Sequence, residues 1–318
     1  MSASPAISVI IPAYNVAPYI EEAIRSVLSQ SLSNIEIIII NDGSTDATYN
    51  IISRIAADNS RIHVVSHENR GVGRARNEGI AAASGEYIAF LDPDDRYPDK
   101  NTLERLYNTA IEHHVDICGG ELQEFSGQDS KPHQNFAADV DGFLFPGDGI
   151  VKYADYQFDY GFYRFIYSRK LLVDNDIVFP PYSRFQDPPF MVKAFLAARH
   201  FYALHIPTYS LRVEHKTVTW NQDKIDGLYS GIRYIWQLAC EHGLYRLQHY
   251  TWLRIRNHYP ATGNLLSQSQ HAFVQEVEQA MNPQRRTIRY RLFSKDKNFA
   301  DPRKRGLTIL GKTYFYRK

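Results

Sequence analysis

Cysteine is scarce in this chain. Cys118 and Cys240 are the only two in 318 residues, far apart and in no metal-ligand spacing. That excludes a disulfide scaffold and a zinc ribbon and fits a reducing compartment, with both thiols expected as small core residues. Neither sign of charge is in excess: Lys and Arg total 36, Asp and Glu 35, and the formal net charge is +1. The total therefore implies no anionic partner. Long apolar runs are also missing. None approaches the ~18 residues of a membrane span, and the opening MSASPAISVIIPAYN has neither a basic leader nor an apolar stretch long enough for a signal peptide. A cytoplasmic location is expected. At ~100 to 200 residues per domain, the length suits a core domain plus an accessory region.

What the chain does have is a series of short, β-branched apolar runs: Ile7 to Tyr14, Ile35 to Asp42, Ile62 to His67 and Glu86 to Asp92. Unbroken runs of this kind fit strands covered on both faces, as in a parallel sheet. Between them lie stretches of helical spacing. Ile20, Ala23, Ile24, Val27 and Leu28 follow Pro18; Ile51, Ile52, Ile55 and Ala56 follow a Thr45 or Asp46 cap; and Leu103, Leu106, Tyr107, Ala110 and Ile111 share one face. The alternation of strand and helix predicts an α/β fold, doubly wound around a mostly parallel central sheet. Such sheets bind ligands at the carboxyl ends of their strands.

After a further strand at Val115 to Phe125 the pattern changes. SGQDSKPHQNFAADVDG is polar and turn-rich and reads as a surface loop or lid. Gly149 to Val213 is dense in Tyr and Phe with Arg between them, and Lys224 to Met281 reads as two or three amphipathic helices, a helical C-terminal extension. Pro283 to Lys318 is a strongly basic tail with only Asp296 and Asp301 as acids. The expected domains are 1–220, 221–282 and the tail 283–318.

Chemistry-bearing side chains gather at the ends of the strands. The first ends in Pro12, Tyr14 and Asn15, the second in NDGSTD with Asp42 at its tip, and the fourth runs straight into Asp92, Pro93, Asp94 and Asp95. Adjacent tips of a sheet are about 5 Å apart, so these groups border one cleft. Crowded carboxylates repel one another unless a cation, a basic group or a proton relieves them. A hard divalent ion shared with a diphosphate meets that need.

Together SVIIPAYN, NDGSTD, ENRGVGRARNEGIAAASGEYIAFLDPDD and RFQDPPF resemble glycosyltransferase family 2, the inverting nucleotide-sugar transferases of GT-A fold. The resemblance runs from about Ile7 to His215. It implies that Pro12, Tyr14 and Asp42 line a nucleotide base pocket, that Arg76 lies near the nucleotide, and that Asp92 approaches the ribose. It also implies that Asp94 ligates Mg2+ or Mn2+ on the diphosphate, with His215 approaching the diphosphate or metal, and that Asp187 is the catalytic base. One departure stands out: members commonly carry Glu-Asp where this chain has Gln186-Asp187. The implied substrates are a nucleotide-sugar donor, UDP preferred because Asp42 suits a uracil imide, and a glycan or lipid-linked saccharide acceptor of a surface polysaccharide such as lipopolysaccharide or capsule.

Blander readings stand beside these. The acidic cluster and Asp42 double as turn residues, Asp187 as a helix cap, and Arg74 or Arg76 as solvated helix charges. His215 reads equally as a structural histidine, and Arg164 and Arg169 as salt-bridge partners. The aromatic run from Tyr153 through Phe158 to Tyr167 either lines an acceptor groove or forms core. The basic tail suits an anionic inner leaflet, peripheral to the membrane, or a solvated or subunit-facing segment; no nucleic-acid motif accompanies it. A homodimer contact is expected, if anywhere, in the helical C-terminal region. Two other functions compete. A sugar-1-phosphate nucleotidyltransferase would need a Gly-rich loop after the first strand, and IPAYNVAPY has no Gly. A sugar-nucleotide-binding protein without transfer activity rests on Gln186 alone.

Overall fold

The computed structural model describes residues 4–127, 129–132, 142–213 and 219–281, together with the backbone of 304–309 and 312–317. They form two compact units, the larger ending at Gly231 and the smaller starting at Ile232.

The larger unit is built on a nine-stranded sheet. Its strands are β1 (Ile7–Ala13), β2 (Ile35–Asp42), β3 (Ile62–His67), β4 (Tyr87–Phe90), β5 (Ile117–Ser126), β6 (Asp129–Pro132), β7 (Gly149–Lys152), β8 (Phe165–Ser168) and β9 (His200–Arg212). They lie in the order β3-β2-β1-β4-β8-β5-β9-β7, with β6 paired to β5. β3, β2, β1 and β4 run parallel, joined by α1 (Ile20–Leu28), α2 (Thr48–Ala57) and α3 (Val72–Ala82). Every residue of β1, β2 and β4 is buried, which is why these runs are apolar without alternation. The chain winds from β1 out to β3 and returns to pair β4 with the other side of β1. The strand order thus reverses beside β1, the place where such sheets open a ligand crevice. β8 enters antiparallel between β4 and β5, while β5 and β9 are parallel.

The helices bury the faces expected of them, with local exceptions. α1 buries Ile20, Ala23, Ile24 and Val27. α2 starts at Thr48, whose N–H donates to Asp46 Oδ1 at 2.9 Å, so Asp46 rather than Thr45 satisfies that end. In α4 (Thr102–Glu112), Leu103, Leu106 and Ala110 are buried but Ile111 faces solvent. The polar stretch after Phe125, expected as a loop, contributes β6; its residues 133–141 lie outside the described part. Cys118 is buried, whereas Cys240, expected in a core, is exposed. After α5 (Tyr153–Tyr156), α6 (Arg169–Asp174) and α7 (Asp187–Ala198), the helices α8 (Gln222–Glu241), α9 (Tyr245–Thr262) and α10 (Gln268–Met281) supply the expected helical region. In the smaller unit Arg233 of α8 donates to the Ser269 carbonyl and lies 4.7 Å from the Phe273 ring centre of α10. Part of the expected tail is an antiparallel hairpin, Lys304–Ile309 paired with Lys312–Arg317.

The aromatic run forms core rather than a groove. Tyr153, Tyr156, Phe158, Phe162, Phe165 and Tyr167 are each at most 7% exposed. Tyr153, Tyr156, Phe158, Phe165 and Tyr167 pack against Phe143, Phe195 and Phe201 at centroid distances of 4.9 to 6.4 Å, mostly edge-to-face, with Tyr156 stacked on Phe195 and Tyr153 tilted against it. Arg164 sits among them, 1% exposed, and donates to the carbonyls of Gly120, Phe143 and Gly142 and to the Tyr156 hydroxyl. Arg169 donates to the Gly85 carbonyl. Both arginines serve backbone oxygens in place of the salt bridges expected of them.

At the end of the sheet opposite the strand tips, Glu36 ties three segments together. Its Oε1 accepts from Ser8 Oγ, Ser84 N and Gly85 N at 2.5, 2.7 and 3.2 Å. Burial works to raise this carboxyl, but these donors outweigh it and hold it below its ordinary value. The unfolded chain therefore binds the proton more readily. Stability from this group is complete above the ordinary carboxylate range and is lost as pH falls through the lowered folded value. Glu36→Gln is expected to cost about 1 to 3 kcal/mol at neutral pH, with the difference from wild type vanishing in acid. Urea titrations at several pH values measure both.

Candidate active site

The loops after β1 and β2 are latched to each other at the crevice. Asn15, at a left-handed φ of 50°, accepts from Thr45 N at 2.8 Å through Oδ1, and its own N–H donates to Ser44 Oγ. Val16 N–H donates to Thr48 Oγ1 and Ala17 N–H to Asp46 Oδ2. Pro12 is buried beneath this latch, and Tyr14 projects outward, 47% exposed. Asp42 is only 3% exposed; its two oxygens accept from the backbone N–H groups of Arg70 and Gly71 at 2.7 and 2.9 Å. That carboxylate already organises the loop between β3 and α3. Gly43 allows the approach: at φ 74° a Cβ would lie 2.6 Å from Asn69 N. A pocket of about 490 Å3 opens beside these tips, lined by Asn41, Gly43, Ser44, Tyr49, Ser66, His67, Glu68 and Asn69.

On the β4 side two acids, Asp92 and Asp187, share one cation. Asp92 follows β4, where Leu91 N–H still bonds Ile10 O, so the register places it level with Pro12. Arg76 of α3 is 3% exposed and donates to Asp92 Oδ1 at 2.7 Å and to Asp187 Oδ1 at 2.6 Å. Arg74, two residues away, faces solvent, which settles which arginine points inward. Asp187 is the first residue of α7 (Asp187–Ala198), ahead of Pro188 and Pro189, and its carboxylate turns to Arg76. Burial raises the Asp187 carboxyl above its ordinary range; Arg76 opposes the rise, and Asp92 adds to it. Gln186 is buried beside it.

Asp95 belongs to the expected acidic cluster but had no role of its own assigned from the sequence. It is 2% exposed and accepts from Tyr209 Oη and Arg212 N, both at 2.8 Å. Tyr209 Oη also accepts from Asp92 N–H at 3.0 Å, closing the acidic turn into a ring. Burial, with Asp92 and Asp94 alongside, pushes the Asp95 carboxyl well above the carboxylate range. Tyr163 stacks on Tyr209 at 4.2 Å, beneath the turn. Arg212 donates to the Asp94 carbonyl at 2.8 Å and to Glu22, which also accepts from Arg96. The two guanidinium groups lie 4.1 and 4.4 Å from the Phe125 ring centre. Asp94 is at the partly exposed apex. Thus Pro12, Tyr14, Asp42, Arg76, Asp92, Asp94 and Asp187 all lie at the carboxyl ends of the parallel strands or on segments packed against them. His215 lies outside the described residues, as do most of the tail's cations.

This geometry can be set beside known proteins. Residues 8–177 match the family model described as Glycosyl transferase family 2. EpsJ, an uncharacterized glycosyltransferase of Bacillus subtilis, is 35% identical over 218 residues, 68% of this chain and 63% of that protein. TuaG of the same organism, named for teichuronic acid biosynthesis, is 40% identical over 135 residues, 42% of this chain and 52% of its own length. The matches therefore span less than two thirds of either relative. Among solved structures, S. aureus TarS 1-349 superposes with a TM-score of 0.59 at 26% identity, covering 72% of this chain and 65% of that one. Its complex with UDP-GlcNAc gives 0.66 at 22%, covering 85% and 79%. The family model accounts for more than half of the 318 residues and for the strands that carry the site, and the chain belongs to glycosyl transferase family 2.

Proposed function

We propose that this protein is an inverting glycosyltransferase that moves a sugar from a nucleotide-sugar donor, a UDP-sugar, to a hydroxyl of a glycan or lipid-linked acceptor in surface polysaccharide assembly. The observation that carries the reading is the single guanidinium of Arg76 spanning Asp92 and Asp187. It brings the donor-side acid and the base within one side chain's reach at the reversal of strand order. In support, TarS, whose fold this chain shares, is known in complex with UDP-GlcNAc, and a Pyrobaculum calidifontis mannosyltransferase (17% identity, TM-score 0.52) in complex with GDP-Man and Mn2+.

Asp187 accepts the proton of the acceptor hydroxyl as that oxygen attacks the anomeric carbon; the bond to the diphosphate oxygen breaks on the opposite face, and configuration inverts. Asp42 and the latched loops hold the nucleotide end, and Asp92 meets the ribose. Mg2+ or Mn2+ is assigned to the acidic turn, although among the described residues no group of three or more His, Cys, Asp or Glu could hold a metal ion by itself. Asp94 at the partly exposed apex offers hard oxygens beside Asp92, whose Oδ1 is held by Arg76, whereas both Asp95 oxygens already accept from Tyr209 and Arg212. Such ions take one or two carboxylates plus substrate phosphates rather than an all-protein cage. Asp94 is the residue assigned to hold the ion, which when bound would neutralise charge on the departing diphosphate. Asp94→Ala is expected to weaken UDP binding in Mn2+ by about 10-fold or more, with little change in EDTA. Calorimetric titration in both buffers checks this, and equal affinities in Mn2+ would refute the assignment.

The decisive assay is release of UDP from a panel of UDP-sugars with and without Mn2+ and acceptor. Slow, metal-stimulated hydrolysis is the expected result. Pyrophosphate production points instead to nucleotidyl transfer, and tight binding without turnover to a binding protein. The basic tail is assigned to the anionic inner leaflet, at about 1 kcal/mol per cation near the surface. Sedimentation with phosphatidylserine vesicles is expected to lose salt-sensitive binding when 283–318 is removed.

A further inference from the structure

Helix α3 does more than cover the sheet. Its Asn77 side chain clamps Phe179 twice, donating to the carbonyl and accepting from the N–H, both at 2.8 Å. At Gly73 a Cβ would lie 3.1 Å from Pro180 O and 3.5 Å from Gln186 Cγ, so α3 and the segment 179–187 are in close contact there. Arg76, on the same helix, completes the docking at Asp187. The segment that delivers the base is thus held at both ends by α3.

Arg76 has little freedom of its own. Its side chain is 4% exposed, and its guanidinium carbon lies 4.8 and 5.2 Å from the ring centres of Phe162 and Phe179. Its two amino nitrogens are committed to carboxylates from different parts of the chain, one after β4 and one at the start of α7. A planar fork suits this task, whereas an ammonium is a point charge on a flexible stem.

We propose that Arg76 is the positioning residue of the transfer, fixing the aim of Asp187 and its spacing from the donor-side Asp92 through one rigid guanidinium, and not a group that grips the nucleotide. The proposal rests on Asp187 being the base. A base misaimed by about 1 Å can cost on the order of 100-fold in rate. The charged and titratable groups facing Asp187 are Arg76 from α3, Asp92 after β4, Arg184 ahead of α7 and Tyr167 of β8. Arg76 is the cation in hydrogen-bonding contact with it.

Two variants of the whole 318-residue chain separate positioning from general support. Arg76→Gln is expected to lower kcat by at least ~10-fold, to change donor KM far less, and to move the acid limb of the kcat profile to higher pH, because the cation that favours ionised Asp187 is gone. Arg76→Lys keeps charge but not the fork: kcat falls while the acid limb stays close to wild type. An independent readout is the carboxyl 13C resonance of Asp187, assigned by its loss in Asp187→Asn, which should titrate at higher pH in Arg76→Gln. A resonance and acid limb both unmoved in Arg76→Gln would overturn the proposal, as would a donor KM that rises as much as kcat falls. Should Asp187→Asn turn over normally while the resonance still shifts, the contact is real, but the reading of Asp187 as base has failed and Arg76's role in the reaction with it.

Discussion

Asp187→Asn is expected to bind UDP and its sugars as the wild type does while kcat falls by roughly 100- to 10,000-fold, the span associated with a positioned general base. The asparagine is isosteric, so Arg76 can still donate to its amide oxygen and α7 keeps its start. What disappears is a group able to take the acceptor's proton. The Asp187 side chain is 31% exposed, which leaves it accessible to an acceptor hydroxyl while most of it is withdrawn from water. Its raised carboxyl sets the sign of the pH dependence: burial favours the protonated form, so the wild-type rate drops as pH falls through a value above the ordinary aspartate range. Steady-state kinetics across pH, with calorimetry of UDP binding, checks both halves. Near-normal turnover in the variant would remove Asp187 from the role.

The second large effect is on stability. Arg164→Met is expected to destabilise the chain by about 3 kcal/mol or more, since buried acceptors left without a donor cost about 1 to 3 kcal/mol each. The guanidinium lies over the rings of Phe143, Phe145 and Phe165 at 4.7 to 5.4 Å and feeds three carbonyls and one phenol. Methionine follows much of the arginine stem but donates nothing. Gly120 and Phe143 belong to different segments, so the loss loosens β5 from the chain that follows residue 142. A lowered urea midpoint with an unchanged m value is the expected signature; a midpoint within error of wild type would show that water satisfies those carbonyls.

Sequence pattern revealed the first half of the sheet because burial on both faces leaves no choice of residue. Ile7–Ala13, Ile35–Asp42 and Tyr87–Phe90 are nearly continuous apolar runs for that reason, and Asp42 and Asp92 stand out as the charges at the ends of the last two. Beyond β5, legible as the run Val115 to Phe125, the second half was hidden. β8 and β9 mix Tyr, His, Arg and Ser, and their apolar character comes from rings rather than β-branched side chains. The arginines between those rings looked like salt-bridge partners because nothing local says that a guanidinium will face carbonyls. The acidic turn was visible, but the bond from Tyr209 to Asp95 spans 114 positions and leaves no local trace. The inward arginine was likewise undecided between Arg74 and Arg76 until the phase of α3 was known.

The phenol of Tyr209 accepts from the backbone at Asp92 and donates to the carboxyl of Asp95, so a four-residue segment is stitched shut by one hydroxyl. The direction of that chain is fixed, with each link polarising the next. A ligand arriving at the apex meets a segment with little conformational entropy left to surrender, and more of the contact energy survives as affinity.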